Sequence, residues 1–291
     1  MLEHLNAKEE APSRVVIIGA GGFVGGAVAK RLERDGISVL KISRTDVNLL
    51  APDAASRLAS VLKPGDSVLA ASALAPCKNA EMLRDNMILA AALIKGLQAV
   101  PLAHVVNVSS DAVYGDEPVP LSETSAAAPG SLHGAMHLAR ELMFQSEVKA
   151  PLATIRPSLL YGAADPHNGY GPNRFRRLNA KGETITLFGE GEERRDHVLI
   201  DDLAELTARI FKRRSVGTLN IATGTVTSFR EIADLINKVG KAPVPIVPSP
   251  RSGPMPHNGY RPFDATATHK AFPDFAYTPL AQGLAQVQQQ A

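Results

Sequence analysis

The segment Gly19-Ala20-Gly21-Gly22-Phe23-Val24-Gly25 sets glycines at the first, fourth and seventh positions of a loop that follows the β-branched run Val15-Val16-Ile17-Ile18. Glycine at the first position permits a tight turn, at the fourth it lets backbone approach a diphosphate, and at the seventh it lets a helix close on the sheet. The amides that open the next helix, those of Phe23 and Val24 among them, then face the anion. Strand, loop and helix in this order suit the binding of a dinucleotide. At the end of the following strand, Lys41-Ile42-Ser43-Arg44 offers a hydroxyl and a guanidinium, with no acid before Asp46. A guanidinium there suits a ribose 2′-phosphate, whereas a carboxylate would read the free hydroxyls, so NADP is favoured over NAD.

His133 and His137 stand four residues apart in a helix-patterned stretch and so share one face. Imidazole titrates near neutrality and exchanges protons there without help from a neighbouring cation. As metal ligands the pair falls short of the four that structural zinc takes, and no further His or Cys stands nearby in sequence, so no metal is expected.

The elements that position these residues follow a βαβαβ rhythm: the strand before the glycine loop, a helix over Gly22 to Asp35, Ile37-Ser38-Val39-Leu40-Lys41, a helix over Asp53 to Leu62, and Asp66-Ser67-Val68-Leu69-Ala70. Leu83, Met87, Ala90, Ile94 and Leu97 mark one apolar stripe of a long helix, and His104-Val105-Val106-Asn107-Val108 follows as a strand. A helix over Leu132 to Val148 and the strand around Pro151 to Pro157 continue the pattern. Near-continuous apolar strands imply burial on both faces, hence an α/β fold with a doubly wound parallel Rossmann sheet and ligands beyond the strands' carboxyl ends. Residues 14–165 should form this domain, with later segments near 195–222 returning to it. Residues 166–194 and 223–291, turn-rich and proline-dense, should form a smaller irregular α+β substrate lobe, and residues 1–13 a loose tail.

Composition narrows the function classes. Thirty-one Lys plus Arg against 29 Asp plus Glu leave a formal charge of +2, with no field to recruit nucleic acid. No apolar run reaches the ~20 residues that span a bilayer, and the polar start lacks a secretory pattern, so a cytoplasmic protein without membrane attachment is expected. The one cysteine, Cys77, makes no internal disulfide and suits a half-buried apolar position.

Taken together the chain resembles the extended short-chain dehydrogenase/reductases of the NAD-dependent epimerase/dehydratase family, which act mostly on nucleotide-activated sugars. The resemblance rests on the glycine loop, Asn86, Val106-Asn107-Val108-Ser109-Ser110-Asp111-Ala112-Val113-Tyr114-Gly115, the strand Thr154-Ile155-Arg156-Pro157, the segment from Ile185 to Leu206, Arg251-Ser252-Gly253 and Arg261 to Lys270. It implies hydride exchange with a nicotinamide while Ser110 polarises the reacting oxygen and Ser109 serves structure. The family's Tyr-x-x-x-Lys falls on His133 and His137, so His133 would exchange the substrate proton and His137 would bond the nicotinamide ribose. Ala112 stands where sugar 4,6-dehydratases carry a glutamate base, which disfavours dehydration and leaves epimerisation or keto-sugar reduction.

The resemblance further implies that Arg195 and Arg251 clamp the nucleotide diphosphate, with Asn173 and Asp111 near sugar or phosphate. Asp201 or Asp202 reads as a helix cap, and Tyr114 and Tyr161 as packing residues. Relatives dimerise through the long helix and the helix of the Tyr/Lys pair, which implies a homodimer. Two other readings stay open: a non-catalytic NADP(H)-binding sensor or scaffold that lost the Tyr-x-x-x-Lys, and a reductase of hydrophobic alcohols that would not need the arginine pair.

Overall fold

The computed structural model describes residues 2–117 and 119–290, which divide into two units. Unit one comprises the described residues of Met1–Gly115, Glu123–Pro157 and Leu203–Ile221, and unit two those of Asp116–Ser122, Ser158–Asp202 and Ala222–Ala291. In chain order the elements up to the first sheet's centre are β1 (Glu3–His4), β2 (Val15–Ile18), α1 (Phe23–Arg34), β3 (Val39–Ile42), α2 (Ala54–Val61), β4 (Ser67–Ala70), α3 (Ala80–Gln98), β5 (His104–Val108), α4 (Leu132–Glu147) and β6 (Leu152–Pro157). There follow β7 (Leu159–Tyr161), α5 (Pro172–Lys181), β8 (Ile185–Phe188), β9 (Arg194–Leu199), α6 (Ile200–Lys212), β10 (Ser215–Ile221), β11 (Val226–Ser228), α7 (Phe229–Val239), β12 (Ile246–Ser249), β13 (Tyr260–Arg261), α8 (Thr266–Ala271) and α9 (Leu280–Gln289).

Unit one is the expected α/β sheet, in the order β1-β10-β6-β5-β4-β2-β3. Every pairing from β10 to β3 is parallel. The β2 residues Val15 to Ile18 are at most 1% exposed, because helices cover both faces and a run of β-branched side chains suits a strand with no wet side. On one face Leu58 of α2, Leu93 and Leu97 of α3 and Phe144 of α4 pack with Val16, Val68 and Val105 into one core. The long helix buries Asn86, Leu89, Ala90, Leu93, Ile94 and Leu97, whereas Leu83 and Met87, expected on that stripe, are only half-buried. Apolar residues surround this helix, so the period alone did not select the face.

Two expectations about the chain's layout are corrected. The residues read as a loose tail hold the sheet edge: β1 runs antiparallel to β10, His4 Nδ1 bonds Ser215 Oγ at 2.8 Å, and Asn6 Nδ2 donates to the Lys212 carbonyl at 2.9 Å. The backbone of a bare edge strand supplies the bonds that a polar tail can take. The segment from Arg194 to Leu199, expected to return to the first sheet, instead pairs with β7, β11 and β13 in unit two, and the return begins at Leu203.

Unit two combines that β9-centred sheet with the parallel pair β12-β8. Phe175 of α5, Ile232 and Ile236 of α7, Leu284 and Val287 of α9 and Leu187 of β8 share its core. Ser228 and Glu231 close a reciprocal capping box at the start of α7. Asp202, read as a cap, accepts the backbone amide and hydroxyl of Thr278, both at 2.8 Å, and so ties the approach to α9. Tyr161 is buried as expected, and Gly283 of α9 lies so close to its ring that an added Cβ would stand 3.0 Å from Cζ.

Candidate active site

The carboxyl ends of β2, β3, β4 and β5 carry, in turn, the glycine loop, Ser43 with Arg44, the segment from Ala71, and Ser109 with Ser110. Gly19 adopts φ +98°, and a Cβ there would stand 2.9 Å from the Ser72 amide nitrogen, so the turn requires glycine on two counts. A Cβ on Gly25 would meet the Gly19 carbonyl group, its carbon at 2.9 Å and its oxygen nearer. Gly22 caps α1 without a side chain, and the amides of Phe23, Val24 and Gly25 belong to the first turn, where no intrahelical carbonyl can reach them. This cradle of glycines under free helix-start amides fits a dinucleotide diphosphate.

At the next strand end, Arg44 is exposed and no carboxylate pairs with it among the described residues. Ser43 differs from expectation. Its hydroxyl donates to Asp46 Oδ2 at 2.6 Å and its amide to the same oxygen at 2.8 Å, which holds the Asp46 carboxyl below its ordinary range. The hydroxyl read as a phosphate contact thus already closes a local turn, because Asp46 lies three residues on, within reach of the Ser43 backbone.

Ser110 begins the 3-10 turn Asp111–Val113: its Oγ accepts from the Ala112 amide at 3.1 Å and donates to Asp111 Oδ1 at 3.3 Å. Ser109 turns the other way and donates to Glu141 in a buried contact, the structural role expected of it. Glu141 also holds Arg156, with Nε at 2.9 Å and Nη2 at 2.5 Å, and Arg156 in turn donates to Tyr114 Oη at 2.8 Å. Tyr114 is therefore a buried member of this network.

α4 presents the two histidines. Ser131 caps the helix by accepting the Gly134 amide at 3.1 Å, and Gly134 lies against the 3-10 turn so closely that a Cβ would stand 2.8 Å from the Ala112 carbonyl carbon and 2.7 Å from Pro129 Cβ. That approach, which the sequence reading missed, brings His133 beside Asp111. The His133 and His137 rings meet edge to face, 4.7 Å between centroids. His133 is half-buried and its Nδ1 accepts from the Cys77 amide at 3.4 Å. Burial pushes this ring below its ordinary value while Asp111 pulls the other way. His137 is 5% exposed with Nδ1 unpartnered, and burial, then His133 and Arg140, push it down to about 3. Cys77 is more deeply buried than expected.

The loop bearing Cys77 is fastened at several points. Asn86 accepts from the Leu74 amide at 2.8 Å and donates to its carbonyl at 3.0 Å. Arg140, one turn beyond His137, reaches the Ala70 and Ser72 carbonyls at the start of the same loop. Nothing in the helix pattern announced a buried arginine.

In unit two, the arginines expected to act together do converge. Arg195 Nε donates to Glu193 Oε1 at 2.7 Å, and Arg251 Nη1 stands 3.6 Å from Glu193 Oε2. Arg251 Nη2 also donates to the Phe188 carbonyl at 3.1 Å. Phe188, 47% exposed, stacks on Tyr170 with centroids 4.5 Å apart, and its amide donates to Tyr170 Oη. An exposed aromatic face thus adjoins the guanidinium pair, and the alternating exposure along β8 is the signal that could have found it. Arg194, the neighbour of Arg195, is held 3.2 Å from Glu231. His257 and Arg261 both donate to Asp116 Oδ1, a cluster that residue spacing gave no reason to expect.

Asn173 is engaged by the chain itself. Its Oδ1 accepts from the Gly162 amide at 3.1 Å and its Nδ2 donates to the Leu160 carbonyl at 3.2 Å, so both ends of the carboxamide pin the chain after β7 to the start of α5. No cluster of His, Cys, Asp or Glu suited to a metal occurs among the described residues, and none of their helices is long and apolar enough to cross a membrane.

Comparisons with known proteins find similar sequences and folds. A UDP-glucose 4-epimerase of Mycolicibacterium smegmatis is 27% identical over 274 residues, covering 83% of this chain and 88% of that protein. A dTDP-6-deoxy-L-talose 4-dehydrogenase (NAD(P)(+)) of Kitasatospora kifunensis is 27% identical over 290 residues, 90% of each chain. The crystal structure of UDP-glucose 4-epimerase from Thermotoga maritima superimposes with a TM-score of 0.82 at 19% identity, covering 95% of this chain and 97% of that one. The model of the NAD dependent epimerase/dehydratase family matches residues 15–222, and with its glycine cradle, Ser110 turn and parallel sheet this chain belongs to that family.

Proposed function

We propose that the protein is an NAD(P)-dependent oxidoreductase of nucleotide sugars, a keto-sugar reductase or epimerase, that moves hydride at a ring carbon. The observation that carries the substrate class is the convergence of Arg195 and Arg251 on the single Glu193 carboxylate, which shows that one anionic group reaches both guanidiniums. A sugar-nucleotide diphosphate would lie beside Glu193 against the same two guanidiniums, with the base on the open face of Phe188. A reductase of hydrophobic alcohols has no use for such a pair. The two named relatives act on UDP-glucose and on a dTDP-deoxysugar, which supports the reading.

The amides of Phe23, Val24 and Gly25 would hold the cofactor diphosphate, and Arg44 favours a 2′-phosphate there, hence NADP. When bound, the nicotinamide supplies or accepts the hydride. Ser110 donates its hydroxyl to the reacting oxygen. The Cys77 amide makes Nδ1 of His133 an acceptor, so the neutral ring carries its proton on Nε2. That tautomer offers a hydrogen-bond donor to a keto oxygen and suits reduction better than abstraction of a hydroxyl proton. Asp111 acts on His133 by its charge, and His137 would hydrogen-bond the nicotinamide ribose when the cofactor is bound. Ile88 of α3 and Leu142 of α4, 47% and 57% exposed, support association of two copies through these helices.

Thermal shift with UDP, GDP and dTDP tests the substrate class. One nucleotide should stabilise the wild type, by about 2.7 kcal/mol at a hundred times its Kd, and the gain should vanish in Arg195→Ala and Arg251→Ala. No response to any of the three would defeat the reading. The sensor alternative draws on the same histidines, since both stand where relatives carry Tyr and Lys. Equal NADP(H) turnover by wild type and His133→Phe would remove His133 from the chemistry, and turnover by neither would favour the sensor.

A further inference from the structure

Unit one buries two arginines beside α4, and the fold treats them oppositely. Arg156 is paired with Glu141 at 2.5 Å, with side-chain exposures of 8% and 1%. Arg140, the neighbour of Glu141 in sequence and 2% exposed, pairs with no carboxylate among the described residues. Its Nε donates to Asn107 Oδ1 at 2.8 Å, its Nη2 to the Ala70 carbonyl at 2.8 Å and its Nη1 to the Ser72 carbonyl, while the guanidinium lies over the Phe144 ring at 5.1 Å from its centroid. Every partner is neutral. A buried cation without a counter-ion is costly to keep, so its retention calls for a use.

The position suggests the use. Arg140 follows His137 by three residues on α4, and its acceptors lie at the carboxyl ends of β4 and β5, where the glycine loop also lies. The segment it grips, Ala70 to Ser72, is the one against which a Cβ on Gly19 would collide. The charged groups facing the histidine pair are Arg140 on the same helix and Asp111 from the 3-10 turn, and the Cys77 backbone amide on the loop after β4 donates to His133.

We propose that Arg140 is a positioning residue of the reaction centre: its three donors hold the loop after β4 against the glycine turn, and its buried charge, three residues beyond His137 on α4 and facing only neutral partners, opposes a second positive charge on that ring. The proposal rests on reading the histidines as the proton-handling pair. It assigns the site's fixed positive charge to a position one turn beyond the one where relatives place a lysine.

Imidazole nitrogen NMR on the full-length protein without ligand tests this independently of any substrate. In the wild type His137 should stay neutral down to pH 5, and in Arg140→Gln its midpoint should rise by about half a pH unit while staying below the ordinary value, since burial remains, with His104 on β5 as an unmoved control. Arg140→Lys, which keeps the charge and loses donors, should retain the wild-type titration. If Arg140→Gln does not fold, Arg140→Lys and the wild type still decide: a wild-type His137 midpoint near 6.5, or a lysine variant shifted as far as expected for glutamine, overturns the proposal. So does an unchanged His137 titration in a folded Arg140→Gln protein. Failure of the nucleotide thermal shift would strike the substrate class and leave these titrations as they are.

Discussion

Replacing Gly134 by alanine separates the local rule for helices from the packing of this site. In an open helix Gly→Ala is favourable by about 1 kcal/mol. Here the added methyl would stand 2.8 Å from the Ala112 carbonyl carbon and 2.7 Å from Pro129 Cβ, against the ~3.5–4.0 Å at which such atoms attract. Neither neighbour can swing aside, since one is backbone and the other a proline ring. Overpacking of this kind costs up to about 3 kcal/mol, and subtracting the helix gain leaves roughly 2 kcal/mol of destabilisation. For a chain of this size that lowers Tm by about 4–8 °C. Gly26→Ala on α1 is the control: its nearest neighbour would be the Ala20 carbonyl oxygen at 3.4 Å, and Tm should hold or rise. Differential scanning calorimetry of the two variants gives the answer directly. A Gly134→Ala protein as stable as the wild type would refute the close seating of α4 on the Ser110 turn, and with it the placement of His133 beside Asp111.

Gly25→Ala should abolish binding of either nicotinamide cofactor while leaving the protein folded, because its methyl would collide with the Gly19 carbonyl. Equilibrium dialysis showing wild-type retention would contradict the cradle. Stability should also depend on pH through buried histidines. His104, His137 and His197 are pushed down to about 4, 3 and 3 by burial, so below the unfolded value near 6.5 the unfolded chain binds more protons and stability falls with falling pH. At pH 5.5 the three together should cost about 4 kcal/mol relative to pH 7.5, and a Tm that is flat over that interval would show that all three are accessible and titrate normally.

What the sequence disclosed depended on whether a residue's role is written in its own neighbourhood. The glycine loop is legible because turn, approach and helix start all lie within Gly19 to Gly25. The parallel sheet is legible from runs such as Val15 to Ile18, and the arginine pair from the segments that carry Arg195 and Arg251. Ser43 and Asn173 show the limit. Their side chains have the right capacity for a ligand, yet a nearby Asp46 or the Leu160–Gly162 backbone already engages them. Gly134 and Arg140 were unreadable because their meaning comes from the turn at Ala112 and the carbonyls at Ala70 and Ser72, which only the fold brings near.

The short ribbon formed by Glu3 and His4 deserves a practical conclusion. By lying along Ser215 and Val216 it covers the start of one edge of the other six strands. Shortened versions begun at Ser13 would present that margin's unmet amides and carbonyls to solvent, an invitation for a neighbouring molecule to dock edge to edge. Gentle trimming of the leader, harmless in a protein with an idle tail, should here turn a well-behaved preparation into one that clumps.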